Sequence, residues 1–157
     1  MRSRRSPAGT ALVAASLILL STTPAPAQAT AGRQHTAKPA AGAMDWTPTL
    51  RPFDARREKV RRNLTGAQRS AVLNNCWPGY LCVAAGEGDG QHTVYELWYC
   101  SERSLTNFID AGAVNNNQHG VVKALLKDRN GIPVREIPSD HVTYGVEWYP
   151  IYFIQPC

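Results

Sequence analysis

Apolar and polar positions alternate over much of the C-terminal half of this 157-residue chain. In HTVYELWYC, residues 92–100, Val94 and Trp98 fall on one face of a strand and Tyr95, Leu97 and Tyr99 on the other, and the segment is rich in β-branched and aromatic residues. GVVKALLKD (120–128), IPVREI (132–137) and VEWYPIYFI (146–154) read as further strands. Gly-rich or polar turns at residues 86–90, 128–131 and 138–140 separate them. Asp89-Gly90 and Asn130-Gly131 are hairpin signals, because glycine accepts the left-handed backbone that such turns need. Only residues 104–113 leave room for a helical turn. A shift of about 40 residues lays Val94, Glu96 and Leu97 over Val134, Glu136 and Ile137, with the two turn dipeptides one residue out of step. Two four-stranded Greek keys packed face to face are therefore predicted, giving a small all-β sandwich.

The N-terminal half follows another pattern. Arg2, Arg4 and Arg5 precede an apolar stretch from Ala11 to Leu20 and small residues at Ala27 and Ala29, which reads residues 1–29 as a secretory signal peptide. Its apolar run is about half the roughly 20 residues that a bilayer span requires, so no transmembrane segment is expected. Residues 30–52, rich in Ala, Pro and Thr, read as a disordered linker. Beyond them Phe53, Val60, Leu64, Ala67, Ala71 and Leu73 recur near helical spacing. Arg56, Arg57, Lys59, Arg61, Arg62 and Arg69 lie between, which predicts a partly helical basic arm broken or weakened at Gly66.

Charge divides at the same place. Residues 30–75 hold nine Lys/Arg against three Asp/Glu, and residues 76–157 hold five against nine. The chain is thus read as a signal peptide (1–29), a linker and basic arm (30–75) and an acidic domain (76–157). The domain lacks the clustered cations that nucleic acid demands, whereas the arm offers charge to cell-wall polyanions.

All four cysteines, Cys76, Cys82, Cys100 and Cys157, lie in the domain, and an even number in a short exported chain points to disulfides. Pro78-Gly79 suits the two central positions of a type II turn, so Cys76 pairs with Cys82 around Trp77, Pro78, Gly79, Tyr80 and Leu81, leaving Cys100 for Cys157. The bridges matter because a domain this small buries only about 60% of its unfolded surface.

CWPGYLCVAAGEGDG, the strand ending Trp98-Tyr99-Cys100, Asn116-Asn117-Gln118 with Gly120, and a closing aromatic strand ending in Cys together resemble secreted actinobacterial proteins of family 36 of the peptidase inhibitors. That family is typified by metalloproteinase inhibitors with a βγ-crystallin-like fold. The resemblance covers nearly all of residues 76–157 and implies inhibition of an extracellular protease, with a zinc metalloprotease as one target class, by a monomer. Inhibitory members use a second small disulfide loop, which the wide spacing of Cys100 and Cys157 does not allow. Candidate reactive loops are then Trp77 to Leu81 and the turns at residues 86–92 and 128–133.

Other chemistries are less well supplied. Asn115, Asn116, Asn117 and Gln118 offer amides where calcium-binding members of the fold class place a hydroxyl, so these side chains are read as satisfying a tight backbone corner. His92, His119 and His141 stand singly, no H-E-x-x-H or G-x-S-x-G occurs, and Ser139-Asp140-His141 is a sequence neighbourhood, not a triad. No catalytic residue, metal or cofactor is expected. Eleven aromatic residues in the domain leave one alternative, a non-inhibitory cell-wall or carbohydrate-binding module.

Overall fold

The computed structural model describes residues 46–157; the signal-peptide segment and the first part of the linker lie outside the described residues. The described chain forms β1 (Thr49–Arg51), β2 (Lys59–Leu64), α1 (Gly66–Asn74), β3 (Tyr80–Gly86), β4 (His92–Leu97), β5 (Arg103–Thr106), β6 (Ala111–Asn117), β7 (Lys123–Lys127), β8 (Pro133–Pro138), β9 (Thr143–Glu147) and β10 (Phe153–Gln155). Two antiparallel sheets result, one ordered β1-β5-β10-β7-β8 and the other β2-β4-β3-β6-β9. The runs β3 to β6 and β7 to β10 are laid out alike. In each, the third strand leaves its own sheet and pairs with the fourth strand of the other run, β5 with β10 and β9 with β6.

The two hairpin turns are also alike. Gly90 N–H donates to Glu87 O (3.0 Å) and Glu87 N–H to Gln91 O (2.8 Å); Gly131 N–H donates to Asp128 O (3.0 Å) and Asp128 N–H to Ile132 O (2.9 Å). Both glycines take positive φ, 85° and 77°, as their positions in the sequence predict. Lys127 pairs with Pro133 but Leu126 with Arg135, so Val134 is an extra, bulged residue. With the turns superposed, Glu136 and Ile137 take the places of Val94 and Tyr95, and the 40-residue shift that lays Val94, Glu96 and Leu97 over Val134, Glu136 and Ile137 does not align equivalent positions.

The main core lies between the sheets. Leu81, Val83, Tyr95, Leu97, Val114 and Val146 of one sheet face Leu50, Ala124, Leu126, Ile137 and Ile154 of the other, with Phe108 and Trp148. Trp148 is fully buried and its indole N–H donates to Ala84 O (3.0 Å). Gly112 permits this approach, since a Cβ there would lie 1.9 Å from Trp148 Nε1 and 2.2 Å from Ala84 O.

The domain starts well before Cys76. β1 pairs with β5, β2 pairs with β4, and α1 lies on the outer face of the second sheet, where Leu73 and Cys76 pack with Cys82, Ala84, Val94 and Ala113. The basic composition of residues 46–75 conceals this because β2 is an edge strand whose Lys59, Arg61 and Arg62 stay exposed while Val60 packs against the core. Gly66 opens the helix instead of breaking it. Thr65 caps it, accepting from Gln68 N–H while the Gln68 side chain accepts from Thr65 N–H.

Three local expectations also change. Residues 104–113 form β5 and β6 instead of a helical turn, the strand from residue 92 ends at Leu97, and residues 146–154 divide into β9 and β10 around a turn in which Ile151 N–H donates to Trp148 O (2.8 Å). Pro150, unable to donate to a ladder, sits in that turn.

The disulfides are Cys76–Cys82 and Cys100–Cys157. By chain entropy alone the long loop contributes about 4 kcal/mol and the short one about 2 kcal/mol. Both cysteines of the short bridge are buried, however, so it also fills the space between α1 and β3 and is worth more than its loop length indicates.

One buried ion pair fastens the N-terminal segment. Arg103 Nη2 stands 2.6 Å from Glu58 Oε1, and both side chains are almost wholly buried. Glu58 Oε1 also accepts from Trp98 and Tyr99 N–H (3.2 Å each), and Oε2 from Asp54 N–H (3.0 Å). Arg103 Nη1 donates to Ser101 O (2.6 Å). Glu58→Ala should therefore cost about 3–5 kcal/mol in denaturant unfolding, because it leaves a buried guanidinium unpaired. Glu58→Leu with Arg103→Met should recover a large part of that loss.

Candidate functional site

The Trp77 loop is a tight turn. Tyr80 N–H donates to Trp77 O (3.0 Å) and Gly79 has φ 88°, the type II geometry that Pro78-Gly79 predicts. Gly79 N–H donates to Asn117 O (2.7 Å), and Asn117 Nδ2 to Cys76 O (2.7 Å). The Tyr80 ring lies 5.0 Å from Trp98 and its hydroxyl donates to Arg57 O (3.1 Å). Leu81 is buried, Gly79 and Tyr80 are half-buried, and only Trp77 and Pro78 are exposed. Trp77 and Pro78, at the apex of the turn, are what this candidate loop exposes to a partner.

The Asn motif lies at the end of β6. Asn115 Nδ2 donates to Thr143 Oγ1 (3.0 Å), Asn116 Nδ2 to Ile137 O (3.0 Å), and Asn116 Oδ1 accepts from Gln118 N–H (3.2 Å). These bonds join β6 to β8 and β9. Gly120, at φ 82°, follows, and its carbonyl accepts from Ser139 Oγ (2.6 Å). Asp140 accepts from Tyr144 Oη (2.5 Å) and Val142 N–H (3.0 Å). The tyrosine hydroxyl, foremost, holds the Asp140 carboxyl below its ordinary range, and the same bond raises the phenol. Ser139 and Asp140 therefore place their side chains in bonds to Gly120, Val142 and Tyr144, which close turns. Burial is the main cause that lowers the His92 pKa, with Arg69 adding to it. Among the described residues, no three His, Cys, Asp or Glu side chains gather as a metal site would require.

Four exposed apolar side chains belong to β8 and the loops on either side of the β7–β10 pair. Tyr149 is 83% exposed, Ile132 58%, Val134 50% and Tyr152 47%. Asp128, Arg129 and Asn130 of the β7–β8 turn share a shallow depression with Tyr149, Pro150 and Tyr152. Asp128 Oδ1 accepts from the N–H groups of Asn130 (2.8 Å) and Ile132 (2.9 Å), which fixes the turn. Tyr152 N–H donates to Lys127 O (2.8 Å) and buried Ile151 anchors the adjoining loop. The turn was one of the sequence candidates. The two tyrosines were missed because a single strand over residues 146–154 would bury alternate rings; Pro150 was the signal against it.

No family model matches the chain, and comparison with curated proteins and with solved structures gives no match. Among the described residues no helix is long and apolar enough to cross a membrane.

Gly79→Ala should destabilise the Trp77 turn by about 1–3 kcal/mol, from positive φ and from a Cβ placed 2.7 Å from the Trp98 ring. Thermal unfolding checks the loss, and a changed Trp98 fluorescence signal locates it.

Proposed function

We propose that the chain is an exported inhibitor of an extracellular protease, built on two Greek keys of the βγ-crystallin type. The crossed placement of β5 and β9 supports the fold reading, and the family resemblance over residues 76–157 supports the inhibitory one. The observation that carries the contact surface is the rigid β7–β8 turn beside Tyr149 and Tyr152. Tyrosine and arginine are enriched among residues that dominate protein-protein binding, and a turn already fixed by Asp128 loses little entropy on docking. Ile132 offers an apolar side chain for a specificity pocket, and the exposed backbone beside it offers carbonyls to a catalytic zinc. The inhibitor itself needs no catalytic residue.

The test is titration of the oxidised protein against thermolysin-like, subtilisin-like and trypsin-like proteases. Stoichiometric loss of one activity is expected, with Tyr149→Ala and Ile132→Ala each weakening inhibition by about ten-fold or more at unchanged melting temperature. No inhibition of any class at micromolar protein would end this reading.

A further inference from the structure

We infer that the open side of the sandwich, between the edge strands β1 and β2, binds a single-chain apolar carboxylate of the fatty-acid class. β1 and β8 are opposite edges of one sheet, so the site is distinct from the β7–β8 turn and does not rest on the protease reading. The two long sides of the sandwich differ. Where β8 and β9 form the edges, Arg135 Nη1 donates across to Gly145 O (2.6 Å) and the guanidinium lies 6.0 Å from the Tyr144 ring centroid, which closes that side. Where β1 and β2 form the edges, a cleft of about 790 Å³ stays open, lined by Leu50, Phe53, Val60 and Tyr95 together with Arg51 and Arg62. That volume falls within the roughly 300–1,000 Å³ of small-molecule sites. Phe53 and Val60 are half-buried, so each offers apolar surface to a ligand, and both arginines are exposed. Leu50 and Tyr95 belong to the main core behind them.

The lining selects the ligand class. Arg62 Nη1 stands 3.4 Å from Pro48 O and Nη2 3.5 Å from Tyr95 Oη, both long contacts to neutral acceptors. Among the described residues neither Arg51 nor Arg62 pairs with a carboxylate, and no Asp or Glu lines the cleft. A guanidinium with spare N–H groups takes a carboxylate through two parallel bonds. The apolar part offers a ligand little else. Leu50, Phe53 and Val60 have no polar side-chain atom, the Tyr95 hydroxyl donates to Pro48 O (2.9 Å) and the Ser104 hydroxyl to Arg51 O (3.2 Å), which leaves the Thr49 hydroxyl. A hydroxyl-rich or heterocyclic body would lose its hydration here without replacement, whereas a hydrocarbon chain gains by the transfer. A peptide strand is disfavoured as well. β1 has three residues and runs into Pro52, and β2 is bulged between Arg61 and Leu64, devices that blunt an edge against pairing. The chain's own residues 30–45 hold Arg33 and Lys38 against Asp45, the wrong sign for a cationic cleft.

The experiment titrates dodecanoate, below its micelle concentration, into the full oxidised protein and follows backbone amide shifts, with dodecyltrimethylammonium as the probe of opposite charge. Saturable one-to-one binding of dodecanoate is expected, with shifts centred on residues 49–53, 60–62 and 95. Arg62→Gln should weaken it by about ten-fold or more, and octanoate, with its shorter chain, should bind the parent about ten-fold or more weakly than dodecanoate. Arg62 is exposed, so its variant should melt as the parent does, which separates lost binding from lost folding. No binding of dodecanoate at about 1 mM would overturn the proposal. So would equally tight binding of the cationic probe, binding unchanged in Arg62→Gln, or tighter binding at the same residues by a tetraglutamate peptide, which would mark the edge as a strand-addition site.

Discussion

The carboxylate of Glu58 is the point on which the arrangement of this domain depends. Taking a glutamate and an arginine out of water costs several kcal/mol per ion, and the pair is tolerable only where every oxygen finds a donor. Glu58 meets that demand with Arg103 and with the amides of Asp54, Trp98 and Tyr99. Those four partners come from the segment before β2, from the loop that follows β4 and from the start of β5. A single side chain thereby joins the N-terminal segment to both sheets. Were it to detach, a guanidinium would stay buried without its counterion.

With that segment fixed, the rest of the N-terminal architecture has consequences for the surface. β2 sets Lys59 and Arg61 beside Glu96, and α1 with the Cys76–Cys82 bridge delivers Asn75 and Trp77 to the same place. The small pocket there therefore exists only because a stretch with the composition of a tether is folded. The β7–β8 turn belongs to the other sheet and is shaped by local chemistry, chiefly Asp128 and Gly131. One surface depends on long-range assembly and the other does not.

That contrast also explains how much the sequence revealed. Turns governed by one or two residues were legible: Pro78-Gly79, Asp89-Gly90 and Asn130-Gly131 each adopt the backbone their chemistry requires. So were the strand signals of β4, β7 and β8, carried by β-branched and aromatic residues in β4 and β8 and by the apolar Ala-Leu-Leu run in β7. The edges β1 and β2 were not, because edge strands carry charge to discourage further pairing and so look like solvated chain. Thr65 followed by Gln68 was a capping signal that could have placed the start of α1. No local pattern marks the burial of Glu58 or Glu96, since each depends on a partner distant in sequence, Arg103 in one case and Arg61 in the other. The buried, unpartnered oxygen of Glu96 is visible only in three dimensions.

Native-state hydrogen exchange of the Trp98 and Tyr99 amides tests most directly whether residues 49–75 are integral to the fold. Both amides are held by Glu58 and by no strand ladder, so their protection reports on that one carboxylate. They should exchange with the same free energy of opening as the β3 and β6 amides at the centre of the sheet. Exchange near unprotected rates while β3 and β6 remain slow would show that the N-terminal segment opens independently, and would contradict the account.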